Sequence, residues 1–195
     1  MSLSVSARVA WPIYVVLMLV SALVAGTLSF VFLGDSLAAL GIPDPGVLTT
    51  VGLPSIRAAA WILASLATGS FMFSAFLIPP NGKELHGAHL TVDGHIAGRT
   101  GVWASAGLAL IGLFMIPLVL SDISGTPLTD VLFSPEMWAM ALSRVADAKI
   151  WLLVAFLAAA VAACGLLASS WSSQVALLLG SLAAIMPLGM SGHSA

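Results

Sequence analysis

Two thioethers and an imidazole recur at helical spacing near the carboxyl end, which reads Met186-Pro187-Leu188-Gly189-Met190-Ser191-Gly192-His193-Ser194-Ala195. In a continuous α-helix, positions i, i+4 and i+7 share one face, so Met186, Met190 and His193 would point the same way. Thioether sulfur and imidazole nitrogen are donors suited to Cu(I), a soft ion that accepts few ligands. Met137 and Met140, in a loop expected on the same side, could complete such a set. Methionine in an apolar helix is also ordinary flexible packing material. Pro187 and the glycines around it work against the unbroken helix that a shared face needs.

Other chemistry-bearing residues are few. His86, His89 and His95 stand three and six apart in a polar stretch. They could gather a divalent metal, but no Cys or close carboxylate pair accompanies them, and a solvated loop of titrating histidines is the plainer reading. Arg57 falls near the start of an apolar run. Arg144, Asp147 and Lys149 cluster at the start of another, where Arg144 and Asp147, three apart, are placed to pair on one helical turn and Lys149 to snorkel. Cys164, the single cysteine, has no partner for a disulfide and reads as a small packing residue. Phosphate-binding glycine loops, HExxH and Gly-x-Ser-x-Gly are all missing from the sequence, so nothing indicates turnover chemistry and the chain is not expected to be an enzyme.

The elements that must position these residues are membrane helices. Of 195 residues, 60% are hydrophobic and 7% charged, too few charges to clothe a water-facing surface. The apolar residues come in runs of bilayer-spanning length instead of amphipathic stripes, so the expected fold is all-α, a polytopic transmembrane bundle in a single membrane domain. A net charge of −2 gives no reason to invoke nucleic acid, and the first partner is the lipid bilayer itself. Spanning helices are expected at about 9–33, 55–78, 100–120, 149–168 and 171–190. A cleaved signal peptide in place of the first is disfavoured because its apolar run continues through Phe30, Val31 and Phe32.

Between these helices lie polar loops. The stretch 34–54 carries Asp35, Pro43, Asp44, Pro45 and Gly46, and 122–148 is the longest loop, with a short interfacial helix opening at Ser134-Pro135-Glu136. Trp103, Trp151 and Trp171 fall near expected helix ends, where indoles favour the headgroup zone. Basic residues tie between the two sides, while Asp35, Asp44, Asp122, Asp130, Glu136 and Asp147 gather on one, which is therefore assigned outside. The amino terminus is then cytoplasmic and the carboxyl terminus extracytoplasmic.

Several stretches in order resemble a known family: Asp44-Pro45-Gly46-Val47-Leu48-Thr49 with Gly52-Leu53-Pro54, then Val102-Trp103-Ala104, then Ser121-Asp122-Ile123-Ser124-Gly125-Thr126-Pro127, and finally Ser191-Gly192-His193-Ser194-Ala195. Together they resemble the copper resistance D (CopD) membrane domain, in the actinobacterial form fused to a cytochrome c oxidase assembly (CtaG-like) domain. The resemblance covers nearly the whole chain. It implies copper as cargo or cofactor, handled at the cell membrane by transport, binding or delivery toward oxidase assembly in the respiratory chain. It also implies a metal role for His193, in a Gly192-His193 pair matching the family's glycine-histidine-alanine motif with Ser194 where alanine is usual. The loop with His86, His89 and His95 matches no family motif. Fused members continue with further helices, so this chain is expected to be an amino-terminal part. Two alternatives stand beside copper handling: an accessory or assembly subunit held by respiratory oxidase subunits without its own metal, and a haem-binding membrane protein, for which only His193 lies near a helix end.

Overall fold

The computed structural model describes residues 10–39, 45–79 and 89–189. Seven α-helices account for nearly all of them: α1 (Ala10–Ala39), α2 (Val47–Met72), α3 (Val92–Ser124), α4 (Leu128–Leu132), α5 (Pro135–Arg144), α6 (Ala146–Leu167) and α7 (Trp171–Ile185). A π-turn, Phe73–Leu77, prolongs α2, and a 3₁₀ turn, Met186–Gly189, prolongs α7. No strand occurs among the described residues, as expected of an all-α membrane bundle.

Four of these helices are long and apolar enough to cross a bilayer: Val47–Leu77, Val92–Ser124, Ala146–Leu167 and Trp171–Gly189. The fifth expected crossing corresponds to α1, helical over 30 residues, within which the described apolar stretch is the shorter Val15–Val31. The helices α2 and α3 outrun the lengths read from sequence. α2 begins at Val47, eight residues before Ser55, because Pro54 sits inside the helix and does not open it. A proline in a membrane helix removes one backbone bond but leaves the apolar face intact. α3 begins at Val92 instead of Thr100, with Thr91 as N-cap accepting the Gly94 N–H at 3.2 Å and Asp93 in the first turn. Its polar first turns look like loop in a hydropathy reading, yet they are what a helix start requires. At the other end α3 runs to Ser124, closed by Gly125 in the left-handed conformation (φ 65°).

Four helices form the core. α2 packs on α3, α3 on α6, α6 on α7 and α7 back on α2, which closes a ring, while α1 lies along α2 from outside. The inward stripes are built of small residues, because in lipid it is close packing and not water exclusion that holds helices together. On α2 the stripe is Ala60, Ala64, Ala67 and Phe71, and on α6 it is Trp151, Val154, Ala155, Ala158, Val161 and Ala162. A Cβ placed at Gly112 would stand 3.0 Å from Ala155 Cβ and 3.2 Å from its backbone, so α3 and α6 touch main chain to main chain there.

Hydrogen bonds fasten the two ends. At the end where α3 and α7 start, here called the lower end, Trp171 Nε1 donates to the Ala75 carbonyl at 2.8 Å and Ser74 Oγ to the Gly94 carbonyl at 2.9 Å. The first of these satisfies a carbonyl in the π-turn, whose looser winding misaligns the regular ladder. At the upper end, Ser121 Oγ donates to the Thr126 carbonyl at 2.6 Å. That uses its single proton, so Thr49 Oγ1 donates to Ser121 Oγ across 2.6 Å. This relay ties the start of α2 to the end of α3 and to the turn before α4.

Candidate functional site

Three charged residues lie at the upper end, Arg57 and Asp147 partly buried and Asp122 exposed. Arg57 continues the α2 stripe one turn above Ala60, Asp122 continues the α3 stripe seven residues beyond Met115, and Asp147 precedes Trp151 by one turn on α6. Helical side chains lean toward their helix's own amino end. Arg57, on a helix that starts at the upper end, therefore reaches upward, and Asp122, exposed near the end of the oppositely directed α3, leans down toward the same level. Arg57 acts electrostatically on Asp122 across this gap.

The polar atoms around this mouth are incompletely satisfied. Arg57 Nε, Asp147 Oδ1 and Trp151 Nε1 are each buried without a hydrogen-bond partner. Two donors and one acceptor left bare in a low-dielectric bundle cost on the order of 1–3 kcal/mol each unless something bridges them. Water or a ligand reaching these atoms would satisfy them. Below it the bundle closes: Trp151, 1% exposed, packs in one cluster with Ala60, Met115, Ile116, Val154 and Ala158, and beneath them come mostly alanine, glycine and serine.

Several sequence expectations land elsewhere. Trp151 is no headgroup anchor but a core side chain, since its position on α6 faces the ring's interior. Asp147 turns inward, whereas Arg144 is exposed and Lys149 Nζ donates to the Ser143 carbonyl at 2.7 Å, so the local cluster at the start of α6 does not form. Met137 packs against the upper core cluster while Met140 is 39% exposed. His89 and His95 are exposed at the lower end, His89 in a single β-bridge with Ser170, and His86 lies outside the described residues. Sequence reading missed Met115, fully buried one level below the mouth, although its spacing of seven from Asp122 marks one face.

Of the expected copper ligands, Met186 is 78% exposed on the 3₁₀ turn, and Met190 and His193 lie outside the described residues. The α-helix ends at Ile185, and a 3₁₀ turn containing Pro187 follows over Met186–Gly189. Among the described residues no group of three His, Cys, Asp or Glu side chains gathers to hold a metal. The 3₁₀ turn after α7 nevertheless ends at Gly189 on the upper side, where Leu188 packs in the same cluster as Trp151.

A family model described as copper resistance protein D-like, N-terminal domain, matches residues 47–195. The chain belongs to this family. The match runs from the first residue of α2 through the carboxyl end, so it takes in the four-helix ring and His193 and leaves α1 outside. No curated protein and no solved structure matches the chain. Membership makes this a multi-pass membrane protein of the copper-resistance type, and it agrees with the resemblance drawn from Gly46-Val47 through Gly192-His193.

Proposed function

We propose that this domain binds copper at the upper mouth of the bundle, with His193 as the nitrogen ligand and Met190 as a soft partner, and passes it toward respiratory oxidase assembly without turnover chemistry of its own. The observation that carries the reading is the family match through His193, taken with an α7 that ends at the same face as Arg57, Asp122 and Asp147. Acidic side chains favour that end: Asp122, Asp130, Glu136 and Asp147 lie there, and they raise the local concentration of cations before any ligand engages. With the amino terminus in the cytoplasm, this mouth opens outside the cell. Arg57, one turn above the closed alanine core, sets a positive floor that stops a cation from descending into the bundle. Delivery to an oxidase rests on the resemblance to fused family members.

Elemental analysis of the purified chain tests the reading. Wild type should hold copper, His193→Ala should lose most of it, and Met190→Leu should weaken it with little change in fold, since the two side chains are close in volume. Equal copper in all three leaves an oxidase-associated structural role as the better account. A Soret band in the purified protein would instead select haem.

A further inference from the structure

A second feature lies on the opposite half of the molecule. α1, α2 and the first turns of α3 enclose a groove of about 910 Å³, walled by Trp61, Leu66, Phe73 and Ile96 with Asp93 at its lower rim. Its floor is Gly69. The interior glycines of this bundle have packing reasons: a Cβ at Gly101 would meet the Phe71 ring at 2.8 Å, and one at Gly112 would meet Ala155 at 3.0 Å. A Cβ at Gly69 would meet no protein atom within 4 Å. Glycine costs a helix about 1 kcal/mol against alanine, and no helix approaches Gly69 to offset it. Bare backbone facing open space on a groove floor is what a closely seated ligand uses.

We propose that the groove seats one membrane lipid with a primary-amine headgroup. Shape and charge argue together. From Trp61 to Phe73 the groove follows the α2 helix for twelve residues, about 18 Å, close to the roughly 20 Å of one leaflet with its headgroup. The acyl chain lies along Gly69 between the Trp61 and Phe73 rings. The ammonium reaches Asp93 where α3 begins, at the level of the lower interface. A phosphocholine headgroup carries no N–H and cannot donate to that carboxylate, so the groove discriminates by hydrogen bonding as well as by charge. The site shares no residue with the upper mouth and stands whether or not copper binds there.

Native mass spectrometry of the full chain, released from nanodiscs of equal phosphatidylethanolamine and phosphatidylcholine, reads it directly. Wild type should retain one lipid after annular lipid is stripped, phosphatidylethanolamine favoured by about fivefold, the upper end for an exposed ion pair. Gly69→Leu fills open space and should lose that lipid. Asp93→Asn should keep one lipid but bring the two headgroups to parity. Equal retention of the two lipids by wild type overturns the headgroup assignment, and an unchanged lipid count in Gly69→Leu overturns the groove.

Discussion

Substituting alanine for two glycines should shift stability in opposite directions, although both sit in helices of the same ring. Each change removes the same helix penalty, about 1 kcal/mol in favour of alanine. At Gly69 the new methyl enters open space, so Gly69→Ala should stabilise by close to that amount. At Gly112 the methyl would stand 3.0 Å from Ala155 Cβ and 3.2 Å from Ala155 Cα and N. Carbon atoms prefer roughly 3.5–4.0 Å, and backbone atoms have no rotamer with which to yield. α3 and α6 must separate by about half an ångström, at the 1–3 kcal/mol typical of an overpacked core. The net for Gly112→Ala is therefore a loss of about 0–2 kcal/mol, and the two variants should differ by 1–3 kcal/mol. Reversible unfolding in mixed detergent micelles, followed by circular dichroism, measures that difference. Because Gly112 lies about one turn below Met115 and Trp151, the same separation should loosen the mouth and lower copper content in Gly112→Ala alone. Equal stability of the two variants, or a more stable Gly112→Ala, would refute the main-chain contact between α3 and α6.

Trp171→Phe removes the 2.8 Å bond to the Ala75 carbonyl and leaves that carbonyl bare in the π-turn, which should cost about 1–3 kcal/mol in the same unfolding assay. Thr49→Val keeps the shape but deletes the donor to Ser121 Oγ, a fully buried bond worth about 1 kcal/mol, and hydrogen exchange at the start of α2 should rise. Met186→Leu, on a side chain 78% exposed, should leave both stability and copper content at wild-type values. Single cysteines at Asp44 and His89 should react with impermeant reagent from opposite sides of the membrane, Asp44 from outside. Labelling of both from one side would break the five-crossing arrangement.

Composition and run length determined the solvent of this protein. With 7% charged residues and apolar runs that are unbroken over spanning length and do not alternate as barrel strands do, membrane helices are the elements that satisfy the backbone. The short sequence stretches from Gly46 to His193 were sufficient to point to the family. Helix limits were less legible, because hydropathy marks the lipid-crossing part and not the hydrogen-bonded part. Pro54 within α2 and the capped polar start of α3 at Thr91 and Asp93 lie outside that signal. Tertiary structure alone decided which way the rare polar side chains turn. Asp147 reads in sequence as the neighbour of Arg144 and Lys149, yet the ring of α2, α3, α6 and α7 directs it inward with Arg57 and Trp151. Spacing along one helix gives a residue's face, but which face becomes the interior depends on the helices packed around it. Gly69 makes the same point from the other side: only the neighbours that do not approach it distinguish it from Gly101 and Gly112.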